Sequence, residues 1–145
     1  MKHDIRKLQV QDLAIGDWVV GTDRFPMYVA AIYEDGWLHL SFKENDADPI
    51  ERTVDEVTGI VITPKSLQRF GFTEIEHNVY EKVCDGFKVR VVVFKVDKSC
   101  YVRVIIEHND GGYAFDDDIV FIHQMQHYVF GNARKPLYLE YQTEA

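Results

Sequence analysis

The residues whose types and spacing could most readily do chemistry are His123 and His127, four apart in the run IHQMQHYVF. On a helix that spacing puts two imidazoles on one side, where they can chelate a metal ion. The residue after His123 is Gln124 rather than the glutamate of a zinc-protease helix, there is no obvious third ligand, and His108 and the run Asp116 to Asp118 are candidates by sequence alone. The pair therefore reads as part of a solvent-facing polar stripe, with no metal and no other cofactor expected. Nucleophilic catalysis is poorly provisioned too. Ser41, Ser66 and Ser99 are the only serines and none sits in a glycine-flanked elbow. Cys100 has no neighbouring histidine or helix N-terminus to lower its thiol pKa, and Gly111-Gly112 is a two-glycine turn rather than a phosphate-cradling loop. No catalytic residue is expected, and the chain reads as a binding protein rather than an enzyme.

Stacking is the other chemistry on offer. Trp18, Phe25, Tyr28, Tyr33 and Trp37 crowd the first half. If Trp18, Trp37 and Tyr28 were presented together on the surface they could line a groove for a peptide or a single-stranded nucleic acid. The competing reading is that these rings fill a small β core.

The histidines need a helix to position them, and Phe115 to Asn132 is the one long stretch with a helical period. Phe121, Ile122, Met125, Tyr128 and Val129 make an apolar stripe. Asp116, Asp117 and Asp118 supply an N-cap and negative charge at the positive end of the helix dipole, and Gly131 supplies a left-handed stop. Such a helix needs an apolar surface to lie on.

That surface is predicted from Val79 to Glu107, a three-stranded antiparallel meander. A two-residue turn at Asp85-Gly86 pairs Lys82 with Val89 and Glu81 with Arg90. A four-residue loop from Asp97 to Cys100 pairs Val96 with Tyr101 and Arg90 with Glu107. One face then carries Phe87, Val89, Val91, Val93, Val102, Val104 and Ile106, and the other a charge ladder of Glu81, Arg90 and Glu107. Cys84 and Cys100 fall at opposite ends of the meander, roughly 30 Å apart at ~3.3 Å per residue, too far to bridge within one chain.

Upstream, LAIGDWVV, RFPMYVAAIYEDGWLHLSF and IERTVDEVTGIVI are short β-rich runs broken by Gly, Pro and Asp. Asp35-Gly36 signals a two-residue hairpin turn, and strands this short over about 50 residues predict a strongly bent sheet or an SH3-like barrel. KENDADP, from Lys43 to Pro49, reads as a solvated loop. Thr63 as N-cap, Pro64 at the first helical position and Gly71 past the end bracket a short helix, with Phe70 or Phe72 free to plug a core. Residues 1 to 12 read as a loosely held lead-in, PLYLEY from Pro136 to Tyr141 as an additional strand, and the final QTEA as a fraying end.

Composition limits the function classes. With 145 residues and 46% hydrophobic content, the chain can bury a core without disulfides or metals. Its formal charge of -8, from 24 acidic against 16 basic residues, opposes a sequence-independent grip on nucleic acid. No window approaches the ~18 to 20 apolar residues of a membrane span, and MKHDIRKLQVQD lacks the apolar core of a signal peptide, so a cytoplasmic protein is expected.

Three segments carry a resemblance: LAIGDWV (Leu13 to Val19), IVITPKSLQRFGF (Ile60 to Phe72) and IHQMQHYVFGNARKPLYL (Ile122 to Leu139). Together they resemble a family of short uncharacterised proteins encoded in gut bacterial (Bacteroides-type) genomes, phages and mobile elements. Met125 and His127 stand where that family more usually has Leu and Asn, and Phe130-Gly131-Asn132 where it has a Thr-Gly turn. The resemblance brings no activity, cofactor or catalytic residue with it.

The expectation is an α+β protein: residues 1–62 a small SH3-like β half, 63–78 a short helix and connector, 79–145 a β-meander packed against one long C-terminal helix. The expected function is a non-enzymatic interaction module acting on a protein partner or a second copy, in phage or mobile-element biology. The alternatives are a nucleic-acid-associated protein using the first-half aromatics and a small metal-dependent enzyme using His123 and His127. An unpaired PLYLEY edge is the expected place for a dimer to form.

Overall fold

A computed structural model describes residues 8–21, 24–42 and 49–142. The lead-in up to residue 7, nearly all of KENDADP and the last three residues of QTEA lie outside the described residues. The chain is mostly β-sheet with two α-helices and forms two compact units, Met1–Ile60 and Val61–Ala145.

The first unit is a curled, half-barrel antiparallel sheet of β1 (Trp18–Val20), β2 (Pro26–Ile32), β3 (Trp37–Ser41), β4 (Ile50–Thr53) and β5 (Thr58–Gly59), in the order β4-β3-β2-β1-β5. Alternation builds its core. Val19 pairs with Met27 and Val29 with Leu40, and these side chains pack with Leu13, Leu38 and Val57 into one buried cluster. The β2–β3 turn differs from the two-residue expectation. The Tyr33 N–H donates to the Trp37 carbonyl and the Gly36 N–H to the Tyr33 carbonyl, so Glu34, Asp35 and Gly36 form a three-residue loop. Gly36 takes φ 91°, a left-handed position that costs a glycine nothing.

The second unit is a sequential antiparallel meander, β10-β9-β8-β7-β6, with β6 (Thr73–Glu76), β7 (Val79–Val83), β8 (Phe87–Val96), β9 (Ser99–His108) and β10 (Tyr113–Asp116). Sequence reading assigned 71–78 to a connector; the structure makes Thr73–Glu76 the edge strand beside β7. The β7–β8 register is as expected, with Lys82 opposite Val89 and Glu81 opposite Arg90. The β8–β9 register is not. Val96 pairs with Ser99 and Val91 with Val104, because Asp97 adopts φ 55° and the turn closes over two residues rather than four. A shift of two leaves each side chain on its face. Phe87, Val89, Val91, Val93, Val102, Val104 and Ile106 are all buried on one side as expected, and α2 (Ile122–Ala133) packs against β9.

Two of the helix boundaries move. Phe115 and Asp116 belong to β10, so α2 starts at Ile122. The Gln124 side chain reaches back over the helix start, its oxygen accepting from the N-cap Phe121 N–H and the preceding Val120 N–H at 3.0 and 2.9 Å. The left-handed stop is Arg134 (φ 59°), and Gly131 lies inside the last turn. The other helix, α1 (Pro64–Arg69), follows its sequence signals: the Ser66 N–H donates to Thr63 Oγ1, the Thr63 N–H donates to Ser66 Oγ, and Gly71 takes φ 87° beyond the end. Both Phe70 and Phe72 are buried.

PLYLEY is not a strand. Leu137 and Leu139 are buried while Tyr138 is exposed, which is the alternation that suggested one, but no ladder forms there among the described residues. The segment instead closes on α1: the Gln142 N–H donates to the Arg69 carbonyl, Arg69 donates to the Gln142 carbonyl, and Tyr141 packs edge-on against Phe70 at 5.3 Å.

Candidate functional site

The singled-out histidines do not behave as a surface pair. His123 is buried at 2% exposure, its ring stacked on Phe121 with centroids 5.7 Å apart, whereas His127 is exposed. The buried face of α2 comprises Ile122, His123, Met125, Gln126 and Val129, so the expected polar stripe is split between core and solvent. The two rings meet edge-on at 5.9 Å. Among the described residues no group of three or more His, Cys, Asp and Glu side chains comes together to hold a metal. Burial pushes the Cys84 thiol above its usual range, the wrong direction for a nucleophile.

The three first-half candidates, Trp18, Tyr28 and Trp37, are not presented together on the surface. Trp18 is buried and packs on half-buried Tyr28 at 5.6 Å, and only Trp37 of the three candidates reaches solvent, at 42% exposure. Trp37 stands across from Thr53 at the start of β3. Tyr33 stacks edge-on against His39, which pairs with Glu51 at 3.3 Å.

The structure assembles a different cluster, on the outer face of the second sheet. The two-residue turn sets Phe94 directly opposite Tyr101, and the rings stack at 4.9 Å and 15°. One step along β9, the Arg103 guanidinium lies 5.5 Å from the Phe94 centroid and 4.6 Å from that of Phe115 on β10. Extending the β9–β10 register by one residue beyond Asp116 opposite Val104 brings Asp117 to Arg103, and the carboxylate accepts two hydrogen bonds from the guanidinium at 2.7 and 3.0 Å. Arg103 thus lies over two rings and is anchored by the Asp117 carboxylate. Tyr101, Tyr113 and Phe115 remain exposed around it.

The rest of that face is self-compensated. Arg90 meets Glu81 at 3.0 Å and Glu107 at 3.8 Å, and Lys88 reaches the same two carboxylates at 3.9 and 4.0 Å. Of the expected ladder the Glu81–Arg90 pair holds, but the two-residue register shift sets Glu107 opposite Lys88 rather than Arg90, which reaches it only diagonally. The aromatic cluster is not evident from the sequence because Phe115 reads as the start of the helix and Asp97 to Cys100 as a four-residue loop, whereas Phe115 lies on β10 and the turn closes over two residues. The available signal was Asn109-Asp110-Gly111-Gly112 between IIEH and YAFD, a hairpin turn in which the His108 N–H donates to the Gly112 carbonyl at 2.7 Å.

The Arg103–Asp117 bridge has a pH signature. Arg103's hydrogen bonds hold the Asp117 carboxyl below the usual range. A depressed folded pKa contributes stability that is complete above the unfolded value and is lost as pH falls through the folded one. Asp117→Asn is therefore expected to lower the thermal midpoint slightly at neutral pH, the bridge being exposed and screened, and to match the wild type in acid below the carboxylate range. Paired thermal melts across pH 2 to 8, approximately the span in which carboxylates titrate, check this.

Fold and site together define a two-unit α+β chain with a curled β-sheet unit, a β-meander bearing one C-terminal helix, and a structured aromatic–arginine patch on the meander's outer face. No protein-family model, curated protein or solved structure matches it. No helix among the described residues is long and apolar enough to cross a membrane.

Proposed function

We propose that the protein is a non-enzymatic interaction module that acts through protein contacts made by the outer face of the second sheet. The observation that carries this reading is Arg103 lying over Phe94 and Phe115 and anchored by Asp117, with exposed Tyr101 and Tyr113 beside it. Tyr, Phe and Arg are enriched in the buried centres of protein interfaces, and side chains ordered before binding lose less entropy on docking. The self-compensated charges beside the patch would form its polar rim. The five short antiparallel strands of the first unit support reading it as an SH3-like barrel, and the resemblance to gut bacterial and mobile-element proteins supports a cytoplasmic role in phage or mobile-element biology.

The test is recovery of tagged full-length protein from a host bacterium, with mass spectrometry and nuclease treatment, beside the Phe115→Ala and Tyr101→Ala variants. A stoichiometric, nuclease-resistant protein partner retained by the wild type and lost at least about tenfold by Phe115→Ala is expected, as for a central interface residue. Nuclease-sensitive recovery, or equal recovery by all three proteins, overturns the reading.

A further inference from the structure

Among the described residues the two sheets present four edge strands, and β10 is the one that carries aromatic side chains. Edges left open to solvent are usually blunted by charge or shortness. β4 carries Glu51 and Arg52, β5 is two residues long and β6 carries Glu74 and Glu76. β10 is as short as β4 and β6 and its one charge, Asp116, stands at its end, but its other residues are Tyr113, Ala114 and Phe115, with Tyr113 71% and Phe115 52% exposed.

Its backbone polarity follows from the register. The His108 N–H donates to the Gly112 carbonyl, so 112 and 108 form a hydrogen-bonded pair, and alternation makes 114 with 106 and 116 with 104 the next ones. Tyr113 and Phe115 occupy the intervening non-bonded pairs. Their N–H and C=O groups point away from β9, toward the open edge.

We infer that a second copy of this chain pairs antiparallel through β10, joining the two meanders into one continuous sheet. This names the partner at the site proposed above and rests on that reading. The choice of a second copy comes from the self-complementarity of the sequence about Ala114. A two-fold axis there sets Tyr113 of each copy opposite Phe115 of the other, both as hydrogen-bonded pairs with aromatic rings on the outer face. Ala114 meets Ala114 at the axis, and Asp116 lies opposite Gly112, which offers no side chain to clash. Arg103, lying over the ring, already orders Phe115 for that contact. The same register brings Asp118 of one copy near Asp110 of the other, and each chain carries a formal -8, so association tightens as salt screens the repulsion.

Sedimentation velocity on the full chain from about 1 µM to about 500 µM tests this, with hydrogen exchange read by NMR at both ends of the range. A dimer is expected, tighter at high salt, with the Tyr113 and Phe115 amides protected as concentration rises and the Ala114 amide, already bonded to β9, unchanged. Tyr113→Pro removes an outward N–H that β9 does not use, and Tyr113→Lys adds an edge charge at an exposed position; each is expected to weaken the dimer about tenfold or more. A monomer at every concentration overturns the inference, as does a dimer in which the Tyr113 and Phe115 amides are unaffected or both variants associate like the wild type. Monomeric protein that still captures a heterologous partner sinks the second copy and leaves the interaction reading standing, whereas a β10 dimer without any other captured protein supports both.

Discussion

Val91→Asp is expected to leave the second unit unfolded at 25 °C, while Val92→Asp, its chain neighbour, leaves it folded. Val91 is fully buried on the inner face, paired with Tyr80 and Val104. A carboxylate there loses its water and gains no partner, at a cost of several kcal/mol against a typical total stability of ~5–15 kcal/mol. Val92 points to the opposite face, half-buried, with Arg103 as its cross-strand neighbour. An aspartate at that position faces a cation across the ladder, so its cost should stay under about 1.5 kcal/mol. Urea denaturation followed by circular dichroism separates the two cases. Equal loss in both variants would mean that the assignment of faces in the meander is wrong.

Phe70→Ala carries the next largest effect. Phe70 is fully buried at the end of α1, packs edge-on against Tyr141, and lies beside the crossing where Arg69 and Gln142 exchange hydrogen bonds. Truncation removes the transfer energy of the ring and leaves a cavity, together about 3–5 kcal/mol. The tail loses the surface it closes on. Chemical denaturation should therefore show the full loss, with faster amide exchange from 137 to 142 than elsewhere in the unit. A loss below about 1 kcal/mol would show that the C-terminal segment does not depend on this contact.

The meander was legible in the sequence because its inner face is nearly continuous in Val, Ile and Phe at a period of two, and because Asp85-Gly86 admits one tight turn. The β8–β9 offset was not legible. Asp97 takes a left-handed conformation that non-glycine residues visit rarely, and nothing in DKSC announces it. The faces survived the error, but Phe94, Tyr101 and Arg103 could not be brought into their actual neighbourhood. The start of α2 was misplaced for a related reason. Three consecutive aspartates are a stronger capping signal than Gln124, yet Asp116 finishes β10 and Asp117 is taken by Arg103, a partner fourteen residues away that local sequence cannot reveal. His123 shows the same limit, since a polar residue on a helix reads as exposed until the packing that buries it is known. PLYLEY alternates because Leu137 and Leu139 turn inward, and alternation alone does not distinguish a strand from an extended tail.

The account rests on the outer face of the meander being a contact surface, and side-chain hydroxyl-radical footprinting of the chain within the assembly recovered from its host tests that most directly. Labelling at Tyr101, Tyr113 and Phe115 should fall several-fold relative to the isolated protein. Tyr138 and Phe130, also exposed elsewhere in the same unit, should label unchanged. Unaltered labelling across the patch, with protection appearing instead at Phe25, Trp37 or Phe42 of the first unit, would contradict it.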